Sequence, residues 1–317
     1  MCGLIKDMWT LVNLELPSSF DKKRVIANFL ILYMRSLPKR LGNKFEKNKA
    51  ENINVKIESD VWKSFNHIIS MYVKYISTKF LTQTFIIRGV ATGWHSKSYI
   101  DFLKNSFTQK HIEIIPEEIQ STVNQVSKSI STNFEDMDYE IVNRWLLTYQ
   151  YGLSKFTDNN AKLIETLNNT HIIELGAGTG ANIAVHAALS EKGVSIFDIP
   201  PMLEIQKRIL NEISKDVNLS EIEYYSDTKI LMEDAKQKPY IIVSYWAFTE
   251  FPIELRKTLE PLIQGSEFAF FACNSVFEGI DNLEYFNELS QRLENKTITS
   301  EIIDWNPYKK HSYVMIK

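Results

Sequence analysis

"ELGAGTG", Glu174 to Gly180, is the stretch on which the reading of this chain turns. It follows the apolar "HII" and precedes "ANIAVHAAL", so a short strand runs into a tight glycine turn and then a helix. Glycines at 176, 178 and 180 remove side chains where the backbone must pass close to a ligand. By itself the turn admits a dinucleotide, a nucleoside triphosphate, a ligand without phosphates, or a purely structural role. With Ala181 it satisfies the loose dinucleotide pattern, whereas no Gly-Lys-Ser/Thr follows, which excludes a P-loop.

Two carboxylates narrow the choice. Glu174 stands two residues before the first glycine, where a pyrophosphate would be repelled but the amino group and sulfonium of S-adenosylmethionine would be attracted. Asp198 ends the next apolar run, eighteen residues beyond Gly180. An acceptor-only carboxylate there suits both ribose hydroxyls. Its competing role is to cap the helix that begins near Pro201.

Outward from the turn, the rhythm after residue 160 is strand, turn, helix. "HIIEL", "VSIFDI", "IEYYSD", "YIIVSYW" and "EFAFFACN" read as strands, interleaved with "PMLEIQKRILNEIS" and "IELRKTLEPLIQG" as helices. "ITSEIIDW" and "SYVMIK" close the chain as a hairpin. This pattern predicts an α/β fold: a Rossmann-like, seven-stranded, mostly parallel sheet with a C-terminal antiparallel hairpin strand. Before residue 160 the pattern is mainly helical, with stripes at Val61, Phe65, Ile68, Ile69 and Val73 and at Ile141, Trp145, Leu146 and Tyr149. "TFIIRGVATGWHSKSYIDFL" reads as a turn-rich connector between them. The expected division is residues 1–155, a helical region serving as substrate lid or oligomerisation surface, and 156–317, a cofactor-binding domain.

The totals exclude several classes. A net charge of −3 argues against a general nucleic-acid binder. Two cysteines, Cys2 and Cys273, build neither a disulfide framework nor a four-thiolate zinc site, which points to a reducing cytoplasm. "MCGLIKDMWTLVNLELP" carries charges where a signal peptide needs an apolar core. "VIANFLILYM", Val25 to Met34, is too short to span a bilayer, although its basic flanks are compatible with peripheral contact with an anionic membrane. Nor do the acidic groups near the fourth strand cluster as a magnesium site requires, so no metal is expected.

"IIELGAGTGANIA", "FDIP" and "IIVSYWAFTE" together resemble the successive motifs of class I S-adenosylmethionine-dependent methyltransferases. More narrowly, Asp198-Ile199-Pro200, Gln206, Ser244 to Glu250 and Asn274 resemble the sugar O-methyltransferases of bacterial surface-polysaccharide clusters, with Thr249 where that group carries a second Ser. The resemblance covers roughly residues 140 to 317. It implies methyl transfer to a hydroxyl of a sugar or glycan precursor, in a cytoplasmic enzyme for which a homodimer is compatible. Other natural-product hydroxyls, a nicotinamide oxidoreductase and a catalytically silent adaptor stay open as alternatives.

On this reading the cofactor is held by Glu174, Gly176, Ala177, Gly178, Gly180, Asp198 and Ile199, with Ser244 and Tyr245 nearest it. Asp227 is a candidate for the adenine amino group, or simply ends its strand; Arg144 is a candidate for the methionine carboxylate, or a helix-surface arginine. Trp246 and Phe248 form an apolar wall. Glu250 is the leading general base, its competing role being to favour the dipole of the helix starting near Pro252. His311, in the hairpin turn, and His95, on the glycine-flexed connector, are the histidine candidates. His171 and His186 read as structural.

Overall fold

The computed structural model describes residues 26–31, 33, 60–83, 97–135, 137–157, 160–306 and 311–317. Its centre is a seven-stranded sheet built from β1 (His171–Leu175), β2 (Val194–Phe197), β3 (Ile222–Tyr225), β4 (Tyr240–Tyr245), β5 (Ala269–Asn274), β8 (Ile298–Ile302) and β9 (His311–Ile316). The strand order is β3-β2-β1-β4-β5-β9-β8. All neighbours from β3 to β5 pair in parallel, and β9 runs antiparallel between β5 and β8. The expected Rossmann-like sheet with its antiparallel closing strand is therefore the fold. A two-stranded hairpin, β6 (Val276–Phe277) and β7 (Ile280–Asp281), follows β5 and was too short to show as a periodic run.

The central strands explain themselves. Every residue of β1 and β4 is buried, as continuous apolar runs covered on both faces must be. Ile172 registers with Val194 on one side and Ile241 on the other, which fixes the polar Glu174 between Ile196 and Val243 at the carboxyl end. Between β1 and β4 the strand order reverses direction. That switch point opens a crevice outside the carboxyl ends of the strands, where ligands of open α/β sheets bind.

Helices cover both faces. Before the sheet come α1 (Asp60–Tyr75), α2 (Lys97–Ser106), the single turn α3 (Gln109–Ile112), α4 (Glu117–Asn133), α5 (Tyr139–Lys155) and α6 (Asn160–Asn169). Within it lie α7 (Ala181–Leu189), α8 (Pro200–Ile213), α9 (Thr228–Ala235), α10 (Ile253–Gly265) and α11 (Asn282–Arg292). Pro200 and Pro201 open α8, where a missing N–H is harmless. The helix α4 lies across α7 and α8, and Ser129 and Asn133 bond Asp216 at 2.9 and 2.6 Å just past α8.

One helix of the N-terminal half is a layer of the sheet. Gly152 of α5 sits so close to the sheet that a Cβ there would lie 2.6 Å from the Tyr313 ring and 2.8 Å from Phe270. Tyr151 and Phe156 also pack on Tyr313. A boundary at residue 155 thus falls at the end of a helix that covers β5 and β9.

Candidate active site

The glycine turn is forced by sterics. Gly176 has φ +73°, and a Cβ on it would lie 2.2 Å from the Cβ of Ala247, so the loops after β1 and β4 touch there with no side chain between them. Gly180, at φ +84°, is the residue preceding α7 and closes the turn through its N–H to the Ala177 carbonyl at 2.8 Å.

Beneath the turn, Glu174 is 2 % exposed. Its Oε1 accepts a hydrogen bond from the Asn182 amide at 3.2 Å, and Oε2 has no partner among the described residues. Burial pushes its carboxyl up to about 8, and the nearby Asp198 charge adds in the same direction. Asn182 is oriented in turn by Gln150, whose amide donates to Asn182 Oδ1 at 2.7 Å. A buried carboxyl with one orphan oxygen suits a cationic ligand group, which would hold it ionised.

Asp198 does not cap α8; the residue at that position is Ile199. The Asp198 carboxylate accepts from the Ile199 N–H at 2.8 Å and from the Gln206 amide at 2.7 Å, and Gln206 also donates to the Gly178 carbonyl at 3.0 Å. Gln206 therefore ties the end of β2 to the glycine turn. Burial raises the Asp198 carboxyl to about 6 against these hydrogen bonds and that of Ala177.

Across the crevice lies the segment after β4. Ser244 is fully buried: its hydroxyl donates to the Leu175 carbonyl at 2.6 Å and accepts from the Phe248 N–H at 3.0 Å. These two bonds make it a link between the loops after β1 and β4. Tyr245 lies on the opposite face, its ring tilted against Tyr149 of α5 at 4.7 Å between centroids, its hydroxyl near Glu174 and Asn182. Trp246 adopts φ +66°, a strained conformation for a bulky residue and one that clusters at functional sites. It turns its ring to Tyr149 at 5.6 Å and donates its indole N–H to His311 Nδ1 at 2.9 Å.

This bond changes the part His311 can play. Burial lowers its pKa, so it is neutral near pH 7, and with Nδ1 accepting from Trp246 the remaining proton sits on Nε2. His311 is set to donate, not to take a proton. It begins β9 beside Asn274, at the same carboxyl end of the sheet.

Glu250 ends a short 3-10 turn, Phe248–Glu250, and is partly exposed at the rim of the crevice. Arg256, one turn into α10, is fully buried beneath it. The guanidinium donates to the carbonyls of Thr249 and Phe251 and to Asn282 Oδ1 at 2.7 Å, while Asn282 donates to the Asn274 carbonyl at 2.8 Å. Desolvation lowers the Arg256 pKa to about 10. One side chain thus fixes the turn bearing Glu250 relative to the end of β5.

Two other expected residues make local bonds. Arg144 donates to the Phe107 carbonyl at 2.8 Å, which binds α5 to the end of α2. Asp227 is exposed and caps α9, its Oδ1 accepting from the Lys229 and Ile230 N–H groups. His95 lies outside the described residues. His171 and His186 are buried, and desolvation lowers both pKa values. Sequence reasoning missed Gln150, Asn182, Arg256 and Asn282. Among the described residues no three His, Cys, Asp or Glu side chains converge as a metal site. A groove of about 730 Å³ lined by Lys229, Lys236, Lys238, Tyr240 and Pro261 lies at the amino end of β4, remote from this crevice.

An acidic glycine turn at the switch point, a second carboxylate ending β2, and the sheet order with its antiparallel β9 define an S-adenosylmethionine-dependent methyltransferase. Comparison with known proteins gives the family. The profile described as "Lysine methyltransferase" matches residues 109–307, and the chain belongs to that family. No curated protein matches significantly. Solved structures similar to it include an rRNA methylase from Streptococcus thermophilus, at 17% identity and TM-score 0.38, covering 49% of this chain and 90% of that one. A candidate methyltransferase from Streptococcus mutans in complex with S-adenosylhomocysteine (SAH) is similar at 13% identity and TM-score 0.37, covering 51% and 98%. An arsenic(III) S-adenosylmethionine methyltransferase from Chlamydomonas reinhardtii follows at 16% and 0.35, covering 47% and 62%. Among the described residues no helix is long and apolar enough to cross a membrane.

Proposed function

We propose that the enzyme methylates a hydroxyl of a sugar or glycan precursor, with the cofactor held in the crevice between the glycine turn and the β4 loop. The observation that carries the cofactor placement is the orphan Oε2 of Glu174, buried at the base of a turn that has no room for a Cβ. Glu174 would hold the amino group of the methionine half, and Asp198, oriented by Gln206, would accept from the ribose hydroxyls. Gly176, Ala177, Gly178, Gly180 and Ile199 would supply the close-approach backbone. When bound, S-adenosylmethionine supplies an electrophilic methyl group for in-line displacement.

The acceptor side supports a hydroxyl. Trp246 and Tyr149 offer aromatic faces to the CH surface of a sugar ring. Glu250 would take the hydroxyl proton at a carboxylate oxygen, and His311, through Nε2–H, would donate to a neighbouring acceptor oxygen and orient it. The resemblance of Ser244 to Glu250 and of Asn274 to sugar O-methyltransferases points the same way.

A second reading, a lysine amine in a protein, is favoured by the description of the family that matches residues 109–307. The same aromatic faces suit a cationic side chain, and Glu250 would attract it. Incubation with methyl-labelled cofactor separates the two: the proposal expects label in a sugar or glycan-precursor fraction. Label confined to protein, released as methyl-lysine on hydrolysis, would replace it with the second reading.

A further inference from the structure

Gln150 is fully buried on α5, in a helix that packs on the sheet through Tyr151 and Gly152. An apolar residue would serve that packing. Instead its amide donates to Asn182 Oδ1 at 2.7 Å, and the Asn182 amide donates onward to Glu174 Oε1 at 3.2 Å. His186, also fully buried, closes the far end with Nε2 at 3.5 Å from the Gln150 amide nitrogen. Both amides point their hydrogens towards the carboxylate. That direction favours its ionised form; Glu174 Oε2 is left without a partner among the described residues, as is Gln150 Oε1 further along the network.

We propose that Gln150 and Asn182 are positioning residues that aim the free oxygen of Glu174 at the amino group of the cofactor, making α5 a structural part of the cofactor site. The proposal rests on the reading that Glu174 takes that amino group. It predicts an effect confined to the amino-acid half of the ligand, because the chain ends on Glu174 and reaches neither Asp198 nor the ribose side.

Two ligands make the test. SAH carries the amino group; 5′-methylthioadenosine has the same nucleoside and thioether but lacks it. Binding of each is measured by calorimetry on the full chain, wild type and Asn182→Leu, with Gln150→Met as the milder variant should Asn182→Leu fail to fold. The expected result is a loss of about tenfold or more for SAH in Asn182→Leu and a smaller loss in Gln150→Met, with 5′-methylthioadenosine unchanged within about twofold. Equal losses for both ligands would mean a merely structural role, and no loss for either would mean no role; each overturns the proposal. A wild-type chain that binds neither ligand would overturn the cofactor placement itself.

Discussion

The two walls of the crevice are held by different means. On the β1–β2 side, Glu174 and Asp198 are sheltered carboxylates held by amides from Asn182 and Gln206, beneath a turn made of glycine. On the β4–β5 side the wall is aromatic, carries the strained Trp246, and is fastened by the buried Arg256. The first wall presents acceptors to a ligand of fixed chemistry. The second presents ring faces and one carboxylate, an arrangement open to many acceptors. The difference teaches why the cofactor follows from the fold while the acceptor has to be tested.

Variants at the point where the walls meet should have the largest effect. Gly176→Ala forces a Cβ against Ala247 at a backbone angle that alanine disfavours. It should weaken SAH binding by about 100-fold or more and lower the melting temperature, through strain of roughly 1–3 kcal/mol plus displacement of the turn. Wild-type affinity in this variant would show that the turn does not approach the ligand.

The next largest effect separates the walls. Arg256→Met leaves the Thr249 and Phe251 carbonyls and Asn282 without their donor, freeing the turn that bears Glu250. Steady-state kinetics with the acceptor should show kcat reduced about 10- to 100-fold, with affinity for SAH within about threefold of wild type. A parallel loss of SAH affinity would mean that the walls are not independent.

The smallest effect comes from an exposed residue that caps a helix. Asp227→Ala should cost about 1 kcal/mol of stability from the lost helix cap, measured by denaturant unfolding, and leave SAH affinity unchanged. A marked loss of affinity would place Asp227 at the adenine site.

How legible this was in the sequence follows the same division. The central strands are contiguous apolar runs, and the glycine turn with Glu174 and Asp198 is a local pattern, so the fold and the candidate residues of the β1–β2 wall could be read directly. The acceptor wall depends on tertiary contacts that no local pattern announces. Arg256, in "IELRKTLE", looks like an exposed helix arginine until Asn282, twenty-six positions away, is seen beside it. Gln150 breaks the apolar stripe of α5 and reads as a surface residue for the same reason. Trp246 gives no sign of its left-handed backbone, because such a conformation is usually announced by Gly or Asn. Nor does "SYWAFTE" announce that the Ser244 hydroxyl bridges the Leu175 carbonyl and the Phe248 N–H.

The most direct test of the central claim is the pH dependence of SAH binding in wild type and Glu174→Gln. In the ligand-free fold Glu174 keeps its proton up to about pH 8. The unfolded chain ionises the same group near 4.5, so ligand-free stability should decline as pH rises from about 4.5 to about 8. A cationic amino group placed against Oε2 favours the carboxylate, so binding releases that proton below about pH 8. Affinity should therefore rise with pH between about 6 and 8, level off above, and lose this dependence in Glu174→Gln. Binding of NAD in place of SAH, or wild-type affinity for SAH that is flat across this range, would contradict the account.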